Sequence, residues 1–200
     1  MTDLESLDAS VRLCAGRIAE NGPVALTGLF DLTAQRLVRY AITITQNQHD
    51  AEDAVQAALV RVADSPQLLK RADQPWPYLL RMVRNESLVI LRKRKRWSHL
   101  KSLSDLVTDR AIDNVEVEET HCEIWAAMRS LPTDQSEVVV LKIWESMTFG
   151  QIAGVLDITP STAASRYRYA IEKLTYKLTP IVNNRPVRIN GVDVEARHNA

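Results

Sequence analysis

Apolar residues recur at intervals of three and four along most of the chain, which is the spacing of one buried face of an α-helix. Residues 28–44, 49–64 and 78–97 each carry this pattern. Residues 65–77, "SPQLLKRADQPWP", break the periodicity and contain three prolines, so they predict a loop. Residues 122–131 and 133–146 resume helical spacing on either side of Pro132.

Residues 98–120 interrupt this pattern with a polar, weakly periodic and acidic stretch. Such a stretch is typical of a flexible linker between domains. We therefore expect an all-α protein with two small helical domains joined by an acidic linker. The expected segments are an N-terminal extension (1–25), a first domain (26–97), the linker (98–120), a second domain (121–178) and a tail (179–200).

The tail differs from the helical part of the chain. Its letters "VRINGVDV" place an Asn-Gly pair between alternating apolar residues, which predicts a β-hairpin over residues 187–194. A lone hairpin of two strands is only marginally stable.

The second domain contains a tight corner between two short helices, at residues 147–174. Thr148 and Gln151 have the spacing of a capping box, which predicts the start of a helix. Asp157 follows, where the corner requires a residue that tolerates positive φ. Thr159 is the expected cap of the second helix and Pro160 its first residue.

The outer face of this second helix carries small hydroxyl and cationic side chains. They are Ser161, Thr162, Ser165, Arg166 and Arg168. Two helices joined by a short turn, with such residues leading the second helix, form the pattern of a helix-turn-helix DNA-binding motif. A plain pair of antiparallel helices without DNA contact is the alternative interpretation.

Composition adds little about partners, because 25 Lys and Arg balance 25 Asp and Glu among 200 residues. Cys14 and Cys122 lie far apart and lack the spacing of metal ligands, which argues against a disulfide scaffold and against a zinc site. The sequence shows neither a signal peptide nor an apolar run of membrane-spanning length. We therefore expect a soluble cytoplasmic protein with no metal, no cofactor and no catalytic residues.

The distribution of charge is more informative than its sum. Five consecutive cations close the helix predicted over residues 78–97: Arg92, Lys93, Arg94, Lys95 and Arg96. Such a run indicates phosphate contact, although solvated helix ends and localisation signals also produce it. Trp76, Tyr78 and Trp97 lie nearby, and aromatic rings beside cations suit stacking on single-stranded DNA. Core packing is the alternative role for Tyr78 and Trp97.

An acidic cluster of Asp50, Glu52 and Asp53 lies at the start of the helix predicted over residues 49–64, with Asp50 as its expected cap. The cluster suits a basic partner surface, and a solvated helix start is an equally ordinary interpretation. A metal site of a helical hydrolase, using His49, is a further alternative, but no second group of ligands accompanies it.

Taken in order, these stretches resemble the extracytoplasmic-function class of bacterial sigma factors, the promoter-recognition subunits of RNA polymerase. The likeness rests on "DAEDAVQ" (50–56), "YLLRMVRNESLVILRKRKR" (78–96), the acidic linker, and "LPTDQSEVVVLKIWESMTFGQIAGVLDITPSTAASR" (131–166). It covers residues 29–178, about three quarters of the chain. The two domains are then similar to sigma regions 2 and 4.

The resemblance implies roles for specific residues. Polymerase-binding residues would be Asp50, Glu52, Asp53 and Gln56. Residues contacting promoter DNA would be Tyr78, Arg81, Arg84, Asn85, Arg92, Lys93, Arg94, Lys95, Arg96, Ser161, Thr162, Ser165, Arg166 and Arg168. The loop 65–76 would help Asn85 capture an unstacked base of the minus-ten element. The implied partners are core RNA polymerase, through its beta-prime clamp and beta flap, and promoter DNA, and the family also admits an anti-sigma factor.

The chain departs from the family's usual pattern at several positions. Tyr78 replaces a Trp, Ala57 a Glu and Asp157 a Gly, while Ala163 and Ala164 stand where Val-Lys is usual. The missing cation weakens the expected contact with the minus-thirty-five element. A stand-alone helix-turn-helix regulator, and an adaptor that binds polymerase without reading DNA, are the alternative functions.

Overall fold

The computed structural model of the chain describes residues 3–101, 119–183, 187–189 and 192–194. We call residues 3–101 the N-terminal half and the described residues from 119 onward the C-terminal half. Within these ranges no helix is long and apolar enough to cross a membrane.

The N-terminal half is helical throughout, apart from short connections. Its helices are α1 (Asp3–Asn21), α2 (Leu26–Thr45), α3 (Gln48–Asp64), α4 (Pro66–Lys70) and α5 (Pro75–Lys101), with a short 3-10 turn at Pro23–Ala25. Gly22, at φ 74°, separates α1 from this turn with a backbone conformation that glycine adopts at little cost.

Two local predictions about this half were wrong. The stretch 65–77 is not entirely a loop, because α4 forms within it and α5 already begins at Pro75. Both helices begin at a proline, a position where the missing N–H costs nothing, so these prolines start helices rather than only breaking them. Asp50 does not cap α3: the side chain of Asn47 accepts a hydrogen bond from the Asp50 backbone N–H at 3.0 Å.

The C-terminal half contains four helices and the predicted hairpin. They are α6 (Glu119–Arg129), α7 (Thr133–Ile143), α8 (Phe149–Leu156), α9 (Pro160–Asn183), β1 (Val187–Ile189) and β2 (Val192–Val194). The strands pair antiparallel with Val187 opposite Val194, as the alternation predicts, and the Asn-Gly pair lies outside the described residues. Most of the predicted linker (residues 102–118) and the side chain of Trp97 also lie outside them.

The predicted all-α fold with two helical domains is confirmed, and the two halves pack against each other. Helix α7 contacts α2, and α8 contacts α5. Buried side chains of both halves join one continuous hydrophobic cluster, in which Trp76, Tyr40, Met147 and Ile152 are fully buried. The C-terminal half therefore covers the faces of α2 and α5 that it contacts and shields them from solvent.

Candidate nucleic-acid interface

The predicted corner of the second domain has the geometry that its residues specify. Thr148 Oγ1 accepts a hydrogen bond from Gln151 N at 3.3 Å, and Thr148 N donates to Gln151 Oε1 at 2.9 Å, so the capping box is complete. Asp157 ends α8 in the left-handed conformation, at φ 58°. These contacts are local in sequence, which is why the pattern predicts them.

The start of α9 is held by a small hydroxyl cluster. Thr159 Oγ1 accepts from Thr162 N at 3.2 Å, as expected of a cap, and lies 2.9 Å from Ser161 Oγ and 2.8 Å from Thr162 Oγ1. Ala163 is fully buried beneath this face. The first turn of α9 is thus fixed against the core while its hydroxyls face outward.

The other candidate residues of α9 are not equivalent. Ser161, Ser165 and Arg168 are exposed, and the Arg168 guanidinium lies 5.1 Å from the centre of the Tyr169 ring. Arg166 is half-buried and forms an ion pair with Asp134 of α7 at 3.3 Å. In this conformation Arg166 joins α9 to α7 through its ion pair with Asp134, and Arg168 lies on the outer face of α9.

Helix α5 brings the candidate residues of the first domain to the boundary between the halves. Arg81 and Asn85 are exposed, and Tyr78 is half-buried. Arg84 is half-buried, and its Nε donates to Glu137 Oε1 of α7 at 2.8 Å. Burial lowers the pKa of Arg84, but the charge of Glu137 and its hydrogen bond outweigh burial and raise the pKa, so Arg84 remains cationic.

A groove of about 710 Å³ lies between the loop before α5 and helix α8. Tyr78 and Arg81 line it on α5, and Gly150, Gln151 and Gly154 line it on α8. Its remaining wall is formed by residues 67–68 and 71–74 together with Pro77. The loop that the resemblance expects to capture a base with Asn85 therefore lies next to Tyr78, and helix α8 of the C-terminal half forms the opposite side of the groove.

Helix α1, which the sequence left without a role, anchors this loop. Arg12 donates to the backbone carbonyls of Lys70 at 2.8 Å and Asp73 at 3.0 Å. Asp8 Oδ1 accepts from Trp76 N at 2.7 Å. Burial raises the pKa of Asp8, against the lowering effects of the Trp76 N–H and of Arg12. No local pattern could reveal these bonds, because their partners lie about sixty residues away.

The basic run at the end of α5 touches the acidic start of α3. All five cations of residues 92–96 are exposed, and Arg94 Nη1 lies 3.5 Å from Asp50 Oδ2. Arg92 Nε donates to the Leu88 carbonyl at 3.1 Å within the helix. The candidate DNA-binding and polymerase-binding clusters are thus adjacent on one end of the N-terminal half.

Two of the candidate polymerase-binding residues contact neighbouring side chains, and the other two are exposed. Asp50 pairs with Arg94, and Glu52 accepts a hydrogen bond from Gln48 at 2.9 Å. Asp53 and Gln56 are exposed, and Val60, one turn further along, is 56% exposed. Val60 was assigned no role from the sequence alone.

Two buried carboxylates of α7 and the segment after it were also missed. Glu137 and Glu145 are each only 3% exposed. Glu137 lies within α7, and Glu145 lies two residues after its end at Ile143. Acidic residues on the apolar face of a helix are the signal that could have revealed them, because a buried carboxylate requires partners.

The alternative of a metal site finds no matching cluster in the described ranges. No group of three or more His, Cys, Asp or Glu residues there is placed to hold a metal ion.

Comparisons with known proteins show which family the two halves resemble. The sigma-70 region 2 family matches residues 29–97, and the sigma-70 region 4 family matches residues 123–174. The extracytoplasmic-function sigma factor SigL of Mycobacterium tuberculosis is 26% identical over 156 residues, covering 76% of this chain and 88% of SigL. The sigma-E factor of Streptomyces coelicolor is 24% identical over 147 residues, covering 71% of this chain and 79% of that protein.

Solved structures share the fold at lower identity. The sigma factor RpoE of Bartonella quintana, in complex with the anti-sigma factor NepR, superposes with a TM-score of 0.63 at 21% identity, covering 76% of this chain and 96% of RpoE. CnrH, in complex with the cytosolic domain of CnrY, gives 0.58 at 19% identity, covering 86% of this chain and 98% of CnrH. Since the two sigma-70 regions together match more than half of its residues, in the order and with the spacing of the extracytoplasmic-function class, the chain belongs to the sigma-70 family of RNA polymerase sigma factors.

Proposed function

We propose that this sigma factor directs core RNA polymerase to promoters by reading two elements with two surfaces. Helix α5 and the loop before it take the minus-ten element, and the start of α9 takes the minus-thirty-five element. The observation that carries the proposal is the exposed row of hydroxyls and Arg168 on α9, held by a fully capped corner. Such a helix start fits the major groove.

The minus-thirty-five surface consists of Ser161, Thr162, Ser165 and Arg168. Hydroxyls reach phosphates and base edges, and an arginine can bind guanine with two hydrogen bonds. Arg166 stabilises the helix through Asp134 and joins the contact only where that pair opens. With Ala164 in place of the family's lysine, the surface carries one phosphate contact fewer and relies more on polymerase for affinity.

The minus-ten surface combines an aromatic ring, cations and a loop. Tyr78 supplies a face on which an unpaired base can stack, and Arg81, Arg84 and Asn85 follow it along α5. The cations Arg92, Lys93, Arg94, Lys95 and Arg96 extend this surface along the phosphate backbone.

In this proposal, α3 and the C-terminal half bind polymerase. The acidic residues Asp50, Glu52 and Asp53, with Gln56, face the basic surface of the beta-prime clamp, while the region 4-like half binds the beta flap. The factor works in the cytoplasm without catalytic activity or a cofactor. The relatives RpoE and CnrH were solved with NepR and CnrY, and an anti-sigma factor is a partner of this chain as well.

Reconstituted holoenzyme on a genomic promoter library tests the assignment. In Arg168→Ala, promoter binding should fall about tenfold, because one arginine contact is worth about 1–3 kcal/mol, and the slope of binding against salt should drop by about one. Arg17→Ala, which removes an exposed cation from α1, is the matched control and should leave binding unchanged. Equal promoter binding by both variants would remove α9 from the DNA interface.

A further inference from the structure

Helix α1 lies outside residues 29–97, which match sigma-70 region 2, yet it packs against both α4 and α5. Its buried side chains recur at helical spacing: Leu4, Leu7, Val11, Ala15 and Ile18. This apolar face keeps α1 on the core. Asp8 and Arg12 do not belong to that face; they lie one turn apart and reach the segment in front of α5.

Arg12 binds the end of α4 and the residues that follow it. Helix α4 ends at Lys70, and we call residues 71–74, which separate it from α5, the minus-ten loop. Arg12 Nη1 donates to the Lys70 carbonyl at 2.8 Å, one of the last carbonyls of a helix, which lack partners within it. Arg12 Nη2 donates to the Asp73 carbonyl at 3.0 Å. The forked guanidinium therefore ties the helix end to the middle of the loop.

Asp8 binds the other end of the loop, where α5 begins. Pro75 and Pro77 have no N–H, so Trp76 carries the one backbone donor among the first three residues of α5. That N–H has no acceptor within its own helix, and it donates to Asp8 Oδ1 at 2.7 Å. A carboxylate at this position is also favoured by the helix dipole. Asp8 therefore fixes the point at which the loop enters α5.

These contacts set the shape of the loop more than the stability of the whole protein. Leu69 and Trp76, on either side of the loop, are fully buried. Three of the four loop side chains are exposed: Arg71, Asp73 and Gln74. Arg12 is exposed as well, and a hydrogen bond to a carbonyl contributes little to global stability where water can replace it. Without Arg12 and Asp8, the loop would gain backbone freedom between two fixed ends.

The minus-ten loop forms part of the surface that the proposed function assigns to an unpaired base. All four of its residues line one groove together with Tyr78 and Arg81. A loop that is already ordered loses no further freedom when a base enters, which favours binding. Fixed donors and acceptors also reject a base whose polar groups do not match them, whereas a loose loop adapts to several bases.

We propose that Asp8 and Arg12 are positioning residues for promoter recognition: from α1 they hold the minus-ten loop in the conformation that accepts the unpaired base, and so set how strictly that base is read. The inference rests on the proposed function for the role of the loop. Both residues act through the loop backbone and need no contact with DNA.

Reconstituted holoenzyme on a promoter library, with each position of both elements varied in turn, measures the penalty for every wrong base. A mismatch typically weakens binding by about five- to 150-fold. In Arg12→Ala, we expect the penalty at one or more minus-ten positions to shrink about fivefold, while the minus-thirty-five penalties stay at their wild-type values. Arg17→Ala removes an exposed cation from the same helix and should leave both sets of penalties unchanged.

Conservative variants separate positioning from general support of the fold. Asp8→Asn keeps an oxygen that accepts from Trp76 N and should retain the wild-type penalties, whereas Asp8→Ala removes it and should resemble Arg12→Ala. Arg12→Lys keeps the charge but lacks the fork that bridges two carbonyls, so its penalties should be intermediate. A residue that only supported the fold would change binding equally at both elements.

Amide hydrogen exchange of the free full-length protein tests the loop without polymerase. Peptides covering residues 68–78 should exchange about tenfold faster in Arg12→Ala and Asp8→Ala than in wild type, because local opening no longer breaks these bonds. Exchange in α2, α3 and α9 should stay unchanged, which also shows that the variants are folded. If Asp8→Ala does not fold, Arg12→Ala, at an exposed position, carries the test.

The outcomes distinguish the positioning role from the proposed function. Wild type that discriminates at the minus-ten element, together with Arg12→Ala and Asp8→Ala that discriminate equally well, would overturn the positioning role and leave the proposed function standing. Unchanged exchange of the loop in both variants would overturn it too, because α1 would then not hold the loop. Wild-type holoenzyme without base preference at any minus-ten position would overturn the proposed function, and the positioning role with it.

Discussion

At the scale of single residues, Asp8 shows how partners hold a partly buried carboxylate. Asp8 accepts from the backbone of Trp76 at the start of α5, while Arg12 beside it holds the loop carbonyls. Burial of Asp8 nevertheless outweighs these favourable contacts and raises its pKa. The ionised form of Asp8 is therefore less favourable in the folded protein than in the unfolded chain.

The pH dependence of the free energy of unfolding should reveal this unfavourable contribution of the ionised Asp8. Because the folded-state pKa of Asp8 is raised, the native protein binds more protons than the unfolded chain just above the ordinary pKa of an aspartate, and stability falls as pH rises through that window. Asp8→Asn keeps the acceptor for Trp76 N and removes the titration. The free energy of unfolding of Asp8→Asn should increase relative to that of wild type as pH rises above the ordinary pKa of an aspartate, about 4.

Chemical denaturation at several pH values measures the difference. Asp31→Asn removes an exposed carboxylate of α2 and serves as the control. Stability curves for wild type and Asp8→Asn that run parallel across the range would show that Asp8 has an ordinary pKa.

At the scale of secondary-structure elements, prediction from sequence succeeded where the determining contacts are local. The capping box of Thr148 and Gln151 and the left-handed Asp157 follow from residues within one turn of each other. The cap of α3 was misassigned because Asn47 and Asp50 are both good caps, and only the backbone conformation chooses between them. The partners of Glu137 lie 53 and 97 residues away, and no periodicity encodes such a pairing.

The exposed face of α3 supports a prediction about an element as a binding surface. Asp53, Gln56 and Val60 lie on one face, and an exposed valine there buries apolar area only when a partner covers it. Val60→Asp should weaken binding to core polymerase by about tenfold, which is the size of effect of a central interface residue.

The control for this substitution is Leu13→Asp, at another apolar side chain that is 65% exposed, on α1. Fluorescence anisotropy with labelled protein and core polymerase measures both affinities. Equal losses for the two variants would mean that the added charge acts through stability or solubility, and that α3 does not form the interface.

At the scale of the whole molecule, the two halves have separate family identities but share one core. Region 2 and region 4 match residues 29–97 and 123–174 separately, yet buried side chains of both belong to one continuous cluster. The two halves of a factor with two DNA-reading surfaces must be able to separate. In the free chain, the contact between the halves contributes to stability. The ion pairs of Glu137 with Arg84 and of Glu145 with Arg39 serve both needs, because charged groups released into water are solvated again.

Cooperativity of unfolding distinguishes this arrangement from two independent domains. We expect wild type to unfold in a single transition, with equal calorimetric and van't Hoff enthalpies, because opening of one half exposes the core of the other. Glu145→Ala leaves the half-buried Arg39 without its anion, and the loss should cost less than the about 3–5 kcal/mol of a fully buried pair. That cost weakens the contact between the halves, so the variant should unfold in two separate transitions. Glu172→Ala, on the exposed face of α9, is the control and should unfold in a single transition. Two transitions already in the wild type would mean that the shared core contributes too little to couple the halves.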